Sequence, residues 1–169
     1  MIPDDTAQSL VRRPAGPPAA APGPDRLLDV VVTSVSSDAH TWNLVYLHLL
    51  LEELGCRVTN LGGCTPDATI VAECLARPVD LVVVSSLNGH GGQDGIRLID
   101  AIRSCPELAA TPVVIGGKLD VTGGDGHTAE RLLAAGFDAV FQDSSGEMIE
   151  FRSFVHAIAA STSAAMVVR

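Results

Sequence analysis

The sequence predicts a doubly wound α/β domain, a parallel sheet with helices on both faces. Short apolar runs rich in valine alternate, five times over, with longer runs that read as helices. The runs from Asp29 to Val35 and from Asp80 to Ser86 are almost continuously apolar, as strands buried on both faces must be. Gly55 and Gly136 each close a helical run, where a left-handed cap is wanted.

The elements follow in order. The first strand is Asp29 to Val35. The first helix runs from Trp42 to Leu54, with Leu44, Leu47, Leu51 and Leu54 at three-and-four spacing on one face. The second strand is Arg57 to Leu61. Thr65-Pro66-Asp67 then opens the second helix with a capping hydroxyl, a proline in the first turn and an early acid. The third strand is Asp80 to Ser86 and the third helix Gln93 to Ser104. The fourth pair is Pro112 to Ile115 and His127 to Ala135, and the fifth is Ala139 to Phe141 and Glu147 to Ala160. Parallel strands with right-handed crossovers suit the flavodoxin-like order 2-1-3-4-5, whose switch point lies between strands one and three.

The chain has 169 residues, enough for one domain with a proper core. Residues 1–25 are rich in Pro, Ala and Gly and read as a tail, 26–161 as the folded domain and 162–169 as a C-terminal tail. A net charge of -9 argues against a nucleic-acid partner. No apolar run is long enough to span a bilayer, so no membrane partner is expected. Arg12 and Arg13 lead into prolines and not into a signal-peptide core. Cys56, Cys64, Cys74 and Cys105 form no C-x-x-C pair and no zinc spacing, so reduced thiols and a cytoplasmic setting are expected.

Chemistry concentrates in Ser37-Asp38-Ala39-His40-Thr41-Trp42, the loop between the first strand and the first helix. Ligands bind at the carboxyl ends of strands in open α/β sheets. His40 can offer one ring nitrogen to a metal while Asp38 fixes the other as a donor. The switch point brings this loop beside Ser85-Ser86-Leu87-Asn88-Gly89-His90-Gly91-Gly92, and Gly116-Gly117-Lys118 follows the fourth strand. Three loops of low bulk thus converge like the mouth of a slot.

Other readings lack their residues. No G-x-G-x-x-G follows the first strand and no Walker loop is present. Ser85-Ser86 lacks the flanking glycines of a nucleophile elbow. A response regulator would end its third strand in an aspartate, where this chain has Ser85-Ser86. Ser34, Ser36 and Ser37 are a faint match to a flavodoxin phosphate loop, without the aromatic residues that flank a flavin.

Asp38-x-His40, Ser85-x-Leu87 and Gly116-Gly117, in this order on these loops, resemble the D-x-H-x-x-G, S-x-L and G-G pattern of the cobalamin-binding domain family. The resemblance covers about Leu27 to Ala160 and is greatest to the small, cobalamin-carrying subunits of glutamate mutase, also through Gly136-Phe137-Asp138. It implies that His40 ligates the cobalt of adenosylcobalamin, with Asp38 behind it. It implies that the nucleotide tail enters between strands one and three, where Ser85 hydrogen-bonds its benzimidazole and Leu87 packs nearby. The implied cofactor-binding set is Ser37, Asp38, Ala39, His40, Thr41, Asn43, Ser85, Ser86, Leu87 and Gly89, with Gly116, Gly117, Lys118, Leu119, Asp120, Val121 and Thr122 along the corrin edge and tail. Two departures stand out. Asn43 occupies the motif's glycine, and its side chain takes space on the tail's path; Asp143 lies in the turn after the fifth strand.

The implied activity is that of a coenzyme-B12-dependent carbon-skeleton mutase, interconverting glutamate and 3-methylaspartate by radical chemistry. Substrate would bind a separate, barrel-type catalytic subunit. The small subunit of an acyl-CoA mutase, or a corrinoid carrier or sensor, is the alternative; carriers usually place a helical cap before the domain, where this chain has its proline-rich tail. Among the other candidates, His48, His127 and His156 read as helix-face or solvated residues. His90 stays open between a cofactor contact and a loop residue, and Trp42 reads as a staple of the first helix.

Overall fold

The computed structural model describes residues 27–121, 127–142 and 146–167. The segment 1–25, Thr122 and the turn Asp143 to Ser145 lie outside the described residues. Five parallel strands are β1 (Asp29–Ser34), β2 (Arg57–Asn60), β3 (Leu81–Ser86), β4 (Val113–Gly117) and β5 (Ala139–Gln142), in the order β2-β1-β3-β4-β5. The helices are α1 (Trp42–Glu53), α2 (Asp67–Ala76), α3 (Gly91–Arg103), α4 (His127–Ala135) and α5 (Glu147–Val167). This is the flavodoxin-like, doubly wound fold expected from the alternation of the sequence.

Strand residues alternate between two cores, as a period of two requires. Val30, Val32, Leu81, Val83 and Val114 face α1 and α5, where they meet Leu44, Leu51, Phe151 and Val155. Val31, Val82, Val84, Val113 and Ile115 face α2, α3 and α4, where they meet Ile70, Leu98, Ile99 and Leu132. Gly95 permits the close seat of α3, since a Cβ there would come within 2.8 Å of Ile115.

The register sets the site. Ser34 pairs with Ser85, Ser85 with Gly116 and Ser86 with Gly117. The carboxyl ends of the three central strands are therefore level, and their loops leave the sheet together.

Several boundaries differ from expectation. Gly116 and Gly117 belong to β4 and not to the loop after it, because their backbones pair with Ser85 and Ser86 on one side and Phe141 and Gln142 on the other. Gly91 and Gly92 open α3 and not the loop before it. A side chain at Gly91 would reach 2.8 Å from both Leu119 and Ser86, so only glycine lets the helix begin there. The Thr65 hydroxyl does not cap α2; it donates to the carbonyls of Leu61 and Gly62 instead. Helix α5 continues past Ala160 to Val167, through most of the stretch read as a C-terminal tail.

Candidate functional site

Asp38 is fully buried at the end of β1 and joins two loops. Its Oδ1 accepts the backbone N–H of His40 at 2.9 Å and lies 2.6 Å from His40 Nδ1. Its Oδ2 accepts the N–H of Leu87 at 2.5 Å and of Asn88 at 3.3 Å, both in the loop after β3. Burial alone would push the Asp38 carboxyl up. The N–H groups of His40 and Leu87, the His40 ring and the Ser86 hydroxyl outweigh it and hold the carboxyl below the ordinary value. The Asp38 carbonyl is held as well, accepting from the Ser34 hydroxyl at 2.9 Å and the Cys64 N–H at 2.7 Å.

A carboxylate accepts only, so Nδ1 of His40 carries the proton and Nε2 keeps its lone pair. The His40 side chain is 57% exposed, and Nε2 has no hydrogen-bond partner among the described residues. Among those residues no group of three or more His, Cys, Asp or Glu gathers to hold an ion. A metal bound at His40 would therefore have to bring most of its ligands with it. A cobalt already held in a macrocycle meets that condition, so the donor set fits the cofactor implied by the sequence.

A cavity of about 160 Å³ opens near these loops, on the face of the sheet that carries α1 and α5. Gly116 and Gly117 form part of its floor, Asn43 and Tyr46 line it from α1, and Met148 and Phe151 line it from α5. Its volume is comparable to apolar cavities of about 150 Å³ that take one aromatic ring. This cavity lies at the ends of β3 and β4, beside the expected entry between β1 and β3. The β1 and β3 loops are stitched together by Asp38. Space remains where β4 ends in two residues without side chains.

The other predicted residues divide by position. Ser85 and Leu87 line the cavity. Asn43 donates from Nδ2 to Ser85 Oγ at 2.5 Å, while its Oδ1 is buried without a partner among the described residues. Ser37 is exposed and tied at the rim; its hydroxyl donates to Asp94 Oδ2 at 2.5 Å, and Asn88 Nδ2 donates to its carbonyl at 3.0 Å. Ala39, Thr41, Lys118 and Val121 are exposed on the same edge, while Ser86 and Gly89 are buried beneath it. Asp120 is half-buried beside Gly92. The side chain of Leu119 is packed into the α2–α4 core and not toward the cavity. Trp42 does not staple α1, being 85% exposed. His90, His127 and His156 are exposed, and His48 pairs with Glu52 along α1 at 3.3 Å.

Sequence reasoning missed three rim residues and most of the cavity wall. Arg97 bonds Asp67 and Asp94 at 2.6 and 2.8 Å and the Ser36 hydroxyl at 2.7 Å, which braces the loop after β1. Asn88 bridges to Ser37 as above. The three-residue spacing of Asp94 and Arg97 was the available signal. Phe141, which meets Phe151 edge-to-face with centroids 5.4 Å apart, is visible in sequence only as an apolar strand residue.

The family model of the B12 binding domain matches residues 28–152. The chain is 36% identical over 118 residues to the glutamate mutase sigma subunit of Halobacterium salinarum, covering 69% of this chain and 78% of that protein. It is 30% identical to the glutamate mutase sigma subunit of Fusobacterium nucleatum, covering 67% and 83%. It is also 33% identical to the HTH-type transcriptional repressor CarA of Myxococcus xanthus, covering 64% of this chain but only 33% of that one. Among solved structures, a cobalamin-binding protein from Desulfitobacterium hafniense superposes with a TM-score of 0.63 at 17% identity, covering 79% of this chain and 60% of that one. The chemotaxis protein CheY4 of Vibrio cholerae superposes at 0.58 and 12% identity, covering 77% and 98%; both likenesses are of fold alone.

Proposed function

The chain belongs to the B12-binding domain family, and on that premise we propose that it is the cobalamin-carrying small subunit of a coenzyme-B12-dependent mutase of the glutamate mutase type. The observation that carries the reading is the His40–Asp38 pair: a buried carboxylate fixes one ring nitrogen and leaves the other exposed at the sheet edge. When bound, adenosylcobalamin supplies radical chemistry through its cobalt–carbon bond. The residues of this chain bind and orient. His40 Nε2 is the cobalt ligand, and Asp38 keeps the proton on Nδ1 and the ring in one orientation. Ser85, Leu87, Gly116 and Gly117 wall the slot for the nucleotide tail, and the exposed Lys118 and Val121 lie on the same edge. A separate barrel-type subunit binds glutamate or 3-methylaspartate and covers the other face of the corrin.

Electron paramagnetic resonance of the cobalt(II) form tests the assignment. Labelling histidine with nitrogen-15 changes the superhyperfine pattern from triplets to doublets, and His40→Ala removes protein nitrogen ligation. A pattern indifferent to labelling, or one that survives in His40→Ala, overturns it.

The similarity to CarA favours one second reading, a corrinoid sensor. The upper ligand retained on the purified protein and the identity of the chain that co-purifies separate the two: a catalytic mutase chain supports the first, a DNA-binding partner the second.

A further inference from the structure

Asn43 lines the cavity and carries a hydrogen-bond acceptor that no described residue uses. Its Nδ2 is spent on Ser85 Oγ at 2.5 Å, which turns Oδ1 the other way. That oxygen is buried and has no partner among the described residues, and Asn43 lines the cavity together with Ser85 and the carboxylate-bearing Glu147. The surface around them is otherwise mostly apolar: Leu47, Val83, Val114 and Phe151 offer no polar side-chain atom. A buried acceptor left unpaired is costly, so a ligand that fits this cavity well supplies it with a donor.

We propose that Asn43 makes this chain selective among corrinoids for those whose tail base carries an N–H or O–H donor, an aminopurine before a dimethylbenzimidazole. The inference rests on the cobalamin-carrier reading above and adds to it which corrinoid class the slot takes. A base-off dimethylbenzimidazole offers a ring nitrogen as acceptor and carbon–hydrogen edges elsewhere, so it leaves Oδ1 unsatisfied. Adenine offers an exocyclic amino group. The Ser85 hydroxyl accepts from Asn43 and keeps its own proton for a ring nitrogen, which all three bases offer, so discrimination between them falls to the Asn43 carbonyl. A site built to meet a donor rejects an analogue that lacks it more strongly than an apolar pocket rejects a change of size.

The test uses the full chain and three cobamides, with adenine, unsubstituted purine or 5,6-dimethylbenzimidazole as the tail base, titrated by visible absorbance. Adenine and purine differ by the amino group alone. The wild type should bind the adenine form about tenfold more tightly than the purine form. Asn43→Leu keeps most of the bulk and removes the amide, and Asn43→Gly removes both. Both variants should bring adenine and purine to within about twofold of each other. Circular dichroism checks that each variant folds, and the two differ enough in demand that the failure of one leaves the other decisive. Equal binding in the wild type, or an adenine preference retained in either variant, overturns the proposal while leaving the carrier reading intact. A wild-type preference for the bases without a donor also overturns it, because Nδ2 and not Oδ1 would then face the ligand. If none of the three cobamides binds, the carrier reading falls and this inference with it.

Discussion

The Asp38 carboxylate accepts the backbone N–H of Leu87 at 2.5 Å across 49 residues of chain. The same carboxylate holds the His40 ring. One buried acid therefore fixes the exposed imidazole relative to Leu87, whose side chain lines the cavity.

Substituting that acid should separate geometry from stability. Asp38→Asn retains an acceptor for part of the network and should keep His40 competent as a ligand while lowering cobalamin affinity about 10–100-fold. Asp38→Ala should also cost roughly 1–3 kcal/mol, because the N–H groups of Leu87 and His40 lose their buried partner. Absorbance titration and urea unfolding measure the two effects on the same samples. Unchanged affinity in both variants would show that the pair does not serve the ligand.

The Asp38 carboxyl is held below its ordinary value of 3.8 in the folded chain. The unfolded chain therefore binds more protons as pH falls, and the derivative of stability with pH is positive in this range. The contribution of Asp38 is fully present above the unfolded value and is lost as pH drops through the folded one. Urea midpoints measured from pH 6 downward should fall more steeply for the wild type than for Asp38→Asn near and below pH 4. Parallel curves would remove Asp38 from the account of acid sensitivity.

Gly117 has φ of +103° and sits where an added Cβ would collide with the Ser86 carbonyl. Gly117→Ala should destabilise the domain by at least ~1 kcal/mol and should weaken cobamide binding, since the strand must shift at the cavity floor. Gly55→Ala is the control: its φ is +81° but nothing lies within 4 Å, so it bears only the backbone penalty. The comparison is read from urea midpoints, and equal losses at both positions would deny the close approach.

Trp42 is the chain's single tryptophan and is 85% exposed. Its emission should already be that of a solvated indole and should shift little on unfolding. Trp42→Ser should change stability by less than about 0.5 kcal/mol. A large blue shift in the native protein would show that the ring is covered.

Isolated chain should give no mutase turnover from glutamate, and addition of the cognate catalytic subunit should restore it. Turnover by this chain alone, followed by formation of 3-methylaspartate, would defeat the small-subunit reading.

The fold was legible because it rests on patterns the sequence repeats. Valine-rich strands buried on both faces and glycine at the ends of α1 and α4 fix element type and order almost without tertiary information. The His40–Asp38 pair was legible too, because two residues of spacing in one loop leave few alternatives. What escaped depended on contacts between distant segments. Gly116-Gly117 read as loop because glycine disfavours strands, yet both residues pair with strands on either side. Trp42 read as a staple because large apolar residues are usually covered. The Asp38–Leu87 bond, which ties the loops after β1 and β3, is encoded by no local pattern.

The floor of the cavity at Gly116 and Gly117 is bare main chain. No amino-acid replacement can dig it deeper, since glycine has nothing left to remove, and every replacement can only fill it. Variation over generations therefore acts on this surface in one direction, toward closure. Any broadening of what the slot admits has to be written on its walls, whose side chains come from α1, α5 and the neighbouring strands, and Asn43 is a letter already written there.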